Sequence, residues 1–114
     1  MNIDQLKAAG AIVSSQPIVK DVTWTRTVDG EEKSDTYTIK VRRRSYRDVC
    51  FFAKNRETQD QQEIVAHYLA HFLVNDDNKS CFTIDEILSF KVSFIDFLAK
   101  EVQEIVKEEV ELKN

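Results

Sequence analysis

At 114 residues, with 42% hydrophobic and 32% charged residues, the chain has the size and balance of one globular domain that can bury a core without metal or disulfide staples. A net charge of −4 argues against general nucleic-acid binding, and a content of 2 Gly and 1 Pro excludes flexible low-complexity linkers and glycine-rich phosphate loops. No apolar run approaches the roughly 20 residues of a membrane span and no signal-peptide pattern opens the chain, while Cys50 and Cys81 build no disulfide framework; a reduced, cytosolic protein is expected.

Residues 3–9 read as a short helix with Asn2 or Asp4 near its start and Gly10 as its stop. From Val19 the period changes to two, with Val22, Trp24 and Val28 alternating with Thr23, Thr25 and Thr27. The charged segment DGEEKSD, residues 29–35, is expected to be the turn, because its Asp-Gly pair favours a hairpin. The return strand TYTIKV places Tyr37, Ile39 and Val41 on one face and Thr38 and Lys40 on the other, with Trp24 and Tyr37 on the same buried face.

Helical spacing begins at Ser45, which forms a capping box with Asp48 in the place usually held by Glu. Tyr46, Val49, Cys50 and Ala53 share one face of this helix and are expected to point inward, with both cysteines behaving as small buried hydrophobes. The polar stretch of residues 55–62 has the composition of a loop. A second helix follows, with Ile64, Val65, Tyr68, Leu69, Phe72 and Leu73 inward. Residues 75–79 form a turn, and Thr83 with Glu86 boxes a short helix through Ile87 and Leu88. Ser93 and Asp96 are expected to cap a last helix whose apolar face is Phe94, Ile95, Leu98, Val102, Ile105 and Val106. The fold class is α+β: an N-terminal β-hairpin at about residues 19–43, packed with about four helices of which the main part spans about residues 45–110, in a single domain.

Lys40, Arg42, Arg43, Arg44 and Arg47 form a local basic excess without an intervening acid. They read first as the solvated end of a strand or a protein-docking edge. A nucleic-acid-binding regulator using residues 40–47 is the alternative, although no RNA-recognition, helix-turn-helix or zinc-finger signature accompanies them. His67 and His71 stand at i, i+4, but Tyr68 occupies the place of the catalytic Glu of zinc proteases and no third ligand is evident. No metal, cofactor or catalytic residue is therefore expected. The last helix carries an acidic polar face of Glu101, Glu104, Glu108, Glu109 and Glu111. It is the strongest interaction element in the sequence, either packed on the domain or partly free to dock on a helical partner. Candidate contacts are Phe94, Phe97, Val102 and Val106 if this helix docks, and Arg42 and Arg44 if the charged edge does.

The order of these pieces resembles the tail assembly chaperones of long-tailed, lambda-like bacteriophages. The resemblance rests on a Pro-preceded strand ending in Thr23-Trp24, a charged turn containing Gly30, and a second strand running through Arg43 and Arg44 into Ser45-Tyr46. An acidic turn from Asp76 into Phe82-Thr83 and a short helix completes it. The triple arginine and the histidine-bearing helix are not part of that pattern. The resemblance implies a non-enzymatic assembly factor of the host bacterial cytoplasm, absent from the mature virion. It would bind and solubilise the tape measure protein, self-associate, and contact the major tail protein through a frameshift-extended form.

Overall fold

The protein is described by a computed structural model covering residues 1–58 and 63–112, with side chains described for residues 1–54 and 63–108. Helix α1, Ile3–Ala8, opens on a reciprocal box: the Gln5 N–H donates to Asn2 Oδ1 at 2.9 Å and the Asn2 N–H to Gln5 Oε1 at 3.1 Å. It closes where the Gly10 and Ala11 N–H groups reach back to the Lys7 and Leu6 carbonyls, with Gly10 at φ 80°. No residue of α1 is buried, so it adds nothing to the core.

Strands β1, Ile18–Val28, and β2, Glu31–Val41, form one antiparallel pair registered from Val28↔Glu31 to Ile18↔Val41. The turn is therefore only Asp29 and Gly30, at φ 52° and 81°, and the expected turn residues 31–35 are strand. Two consecutive positive φ values match the right-handed twist of the flanking strands, so the ladder zips immediately after the Asp-Gly pair. The charged residues Glu31, Glu32, Lys33 and Asp35 are tolerated there because the outer arm of the hairpin lies in solvent. The arm makes the molecule elongated, 61 × 32 × 25 Å.

Trp24 and Tyr37 do share a face, and both rings meet Phe94 of the last helix, with centroids 4.7 and 6.3 Å away. Tyr37 nonetheless stays exposed, because a single helix covers this face. The other face is a hydroxyl ladder in which Thr23 meets Thr36 at 3.0 Å, Thr25 meets Ser34 at 2.8 Å, and Thr38 donates to Asp21 Oδ1 at 2.6 Å.

Helix α2, Tyr46–Thr58, starts on the expected Ser45–Asp48 box. Its orientation differs from expectation. Tyr46, Val49, Cys50 and Ala53 face solvent, and Asp48 and Phe52 face inward. Asp48 is held by His71 of helix α3, Ile64–Phe72, while Phe52 stacks among Tyr68, His71 and Phe72. Positions 48 and 52 stand at i, i+4, so this pair of anchors turns the helix and leaves the apolar stripe outside. Within the expected polar loop, residues 55–58 are helical and residues 59–62 lie outside the described residues.

In α3 the buried positions are Ala66, Leu69 and Phe72, with Ile64 and Tyr68 half-buried; Val65, expected inside, is exposed. The chain then leaves the helix at Leu73, which bridges Val41, and the Val74 N–H donates to the Lys40 carbonyl at 2.9 Å. Strand β2 ends at Val41 because the next amide, Arg42, donates instead to the Phe72 carbonyl at 2.8 Å. Asn75 organises the following turn by accepting from the Asp77 and Lys79 N–H groups.

Helix α4, Ile84–Leu88, opens on the expected Thr83–Glu86 box and buries Ile87. Helix α5, Val92–Leu112, starts two residues earlier than the Ser93–Asp96 pairing suggested, because the Lys91 carbonyl accepts from both Phe94 and Ile95. Leu98, Val102, Ile105 and Val106 of α5 close the core against Val41, Ala66, Leu69, Phe72, Leu73 and Ile87. The architecture is a single α+β domain: one short helix, a two-stranded hairpin, and four helices that build the core with the base of the hairpin. Both cysteines are exposed, against expectation: Cys50 rides on the outward stripe of α2 and Cys81 on the turn before α4. Among the described residues no helix is long and apolar enough to cross a membrane.

Candidate protein-docking surfaces

The basic run of residues 40–47 is divided by the fold rather than presented as one patch. Lys40 pairs with Asp76. Arg42 is half-buried over the end of α3, its N–H on the Phe72 carbonyl and its Nε–H on the His71 carbonyl at 2.9 Å. That places a cation and two donors on the carbonyls a helix C-terminus leaves unpaired. Arg43 donates through Nε to the Gln16 carbonyl at 3.0 Å and ties the chain before β1 to the chain after β2. Arg44 and Arg47 extend into solvent. Thus Arg42 fastens the fold, and Arg44 is the member of that candidate pair which stands at the surface.

The two histidines face different carboxylates. His71 Nε2 lies 2.5 Å from Asp48 Oδ1, and His67 Nε2 lies 3.8 Å from Glu63. Burial alone would raise the Asp48 carboxyl, but the Ser45 N–H, the His71 ring and the Ser45 hydroxyl together hold it below the ordinary carboxylate value. The flat face of the His71 ring stacks on Phe51, with centroids 5.1 Å apart and planes 15° from parallel. Among the described residues no group of three or more His, Cys, Asp or Glu side chains is placed to hold a metal ion. Partial burial of its thiol on a cleft wall pushes the otherwise exposed Cys81 up, with Lys40 a smaller opposing influence, which is the reverse of the shift that activates a nucleophile.

The candidate residues of α5 divide in the same way. Val102, at 0% exposure, and Val106, at 6%, belong to the core and offer no surface. Phe94 and Phe97 are half-buried, their centroids 5.9 Å apart, and Phe94 also meets Trp24 and Phe90 edge-on. Between Phe94 and Val106 the apolar side of α5 is thus used to build the domain.

Two apolar surfaces stand out that the sequence did not single out. One is a cleft of about 450 Å³ beside the inner half of β2, walled by Tyr37, Ile39, Leu73, Phe82, Phe94 and Leu98. The other is the outer stripe of α2, where Tyr46 is 82% and Val49 39% exposed. The cleft needs a strand, a turn and the first turns of α5 to meet, and no local pattern announces that. The stripe was legible as a helix face but not as an outward one.

A search of the curated proteins and a search of the solved structures give no match for this chain. A family model described as phage tail assembly chaperone, TAC, matches residues 4–106, from the first turn of α1 to Val106, the last buried position of α5 among the described residues. The match takes in the hairpin, the Asp48–His71 contact and the whole core, and the chain belongs to the phage tail assembly chaperone family.

Proposed function

We propose that this chaperone binds the tape measure protein of its phage, keeps it soluble in the host cytoplasm until the tail tube polymerises around it, and is then displaced, so that the finished tail contains none of it. Family membership across the folded core is the observation that carries the reading. The exposed stripe of α2 and the cleft beside β2 support it, since a long rod with apolar seams aggregates unless small partners cover it. A coat that must later leave is best held by many weak contacts, which gain avidity from number.

On this reading residues 1–114 act as one unit that works by binding, without catalysis or cofactor. Copies self-associate along the rod, and contact with the major tail protein is made by a frameshift-extended form. Of the residues named from sequence, Arg44, Phe94 and Phe97 keep exposed surface for a partner. The nucleic-acid alternative loses ground, because Lys40, Arg42 and Arg43 already hold protein groups. Co-expression with the tape measure protein of the same phage tests the reading. The long protein should move from the pellet to the soluble fraction and carry the chaperone through purification. A long protein that stays insoluble, or that separates cleanly from the chaperone, would refute it.

A further inference from the structure

Helix α2 is an amphipathic helix whose apolar stripe is left uncovered among the described residues. Tyr46, Val49, Cys50 and Ala53 recur at i, i+3, i+4 and i+7 and are all exposed, while Asp48 and Phe52 on the opposite side fasten the helix to α3. The stripe runs about 10 Å along the axis, two helical turns.

Between Arg44 and Lys54 the charge beside the stripe is of one sign. Arg47 and Lys54 are seven residues apart and therefore lie within about 20° of each other, on one flank. Both are exposed, and Arg44 is exposed just before the helix. From Arg42 to Lys54 the only carboxylate is Asp48, and it is 5% exposed and occupied by Ser45 and His71. Among the described residues neither Arg47 nor Lys54 has a carboxylate partner. An acidic protein thus presents here an apolar ridge edged by cations.

We propose that the outer face of α2 is the docking surface for an acidic amphipathic helix, one whose apolar stripe is flanked by carboxylates about seven residues apart. Such a helix lays its apolar ridge along Tyr46, Val49 and Ala53 and brings its two carboxylates to Arg47 and Lys54. Complementary charge selects the partner and its direction, and the short apolar stripe supplies a modest, reversible affinity. Nucleic acid is a poorer fit, because three of the four stripe residues lack the rings on which bases stack. The inference rests on the tape-measure reading in one respect: the helices of that rod are the partner it names.

The test uses the full chain and two labelled synthetic helical peptides, each about three heptads long with a Leu stripe. One carries Glu and the other Lys at flanking positions seven apart. Wild-type protein should bind the Glu peptide, with an affinity that falls as salt rises. R47E/K54E should bind that peptide about tenfold more weakly, as two attractive exposed pairs become repulsive. The same variant should bind the Lys peptide better than wild type does, a gain that only a folded variant can show. Y46S/V49S should lose both. Equal binding of both peptides by wild type, or binding of single-stranded DNA that R47E/K54E abolishes, would overturn the proposal. Co-purification with the tape measure protein separates the two readings. If wild type fails to carry it, the tape-measure reading falls. If wild type and both variants carry it equally, that reading stands and the α2 surface is wrong.

Discussion

Replacing Asp48 by Ala should loosen α2 more than any other single polar change. The buried carboxylate accepts from the Ser45 N–H at 2.7 Å, the Ser45 hydroxyl at 3.0 Å and the His71 ring at 2.5 Å. Loss of the capping function costs about 1 kcal/mol. Loss of the charge-assisted bond to His71 costs about 2 kcal/mol, partly offset because no charge then has to be buried. The net is a destabilisation of about 2–3 kcal/mol. At about 4 °C per kcal/mol for a domain of this size, that lowers Tm by about 10 °C. Urea and thermal unfolding followed by circular dichroism measure it. The double variant Asp48→Ala/His71→Ala should show a coupling of about 1–2 kcal/mol relative to the two single changes. A loss below about 0.5 kcal/mol, or strictly additive single changes, would show that this pair does not set the orientation of α2.

Three other outcomes follow from the same structure. The Asp48 carboxyl has a folded pKa below its unfolded value, so its contribution is present at neutral pH and is lost as pH falls below about 4 through the folded value; urea midpoints from pH 7 to pH 3 should fall less steeply in Asp48→Ala than in wild type. Leu69→Ala, at a fully buried site in the middle of α3, should cost about 3 kcal/mol in the same unfolding assay. Gly30→Ala meets no neighbouring atom but forces an L side chain into φ 81°, so it should cost about 1 kcal/mol and weaken amide protection in the outer arm first.

What could be read from the sequence was local. The Thr83–Glu86 box, the face of α5 from Leu98 to Val106, and the alternation of Tyr37, Ile39 and Val41 each depend on residues a few positions apart. The misplaced elements depend on distant partners. The rotation of α2 is decided by His71, 23 positions beyond Asp48, and the end of β2 by a carbonyl at Phe72. The turn is shorter than composition suggests for another reason: charge in residues 31–35 resembles loop, although a hairpin arm in solvent can carry charge on both faces. The arginine run was the hardest case, because identical side chains serve as helix cap, chain tie and free surface. For the docking surface, the helical spacing of Tyr46, Val49, Cys50 and Ala53 was visible at once. That it faces outward became visible only with α3 in place.

Sedimentation velocity of the tape measure protein, purified with and without this chaperone, shows whether the chaperone coats the rod. The rod alone should aggregate, and with the chaperone it should sediment as one soluble boundary whose mass corresponds to many copies per rod. Two boundaries, one of free chaperone and one of unchanged aggregate, would contradict it.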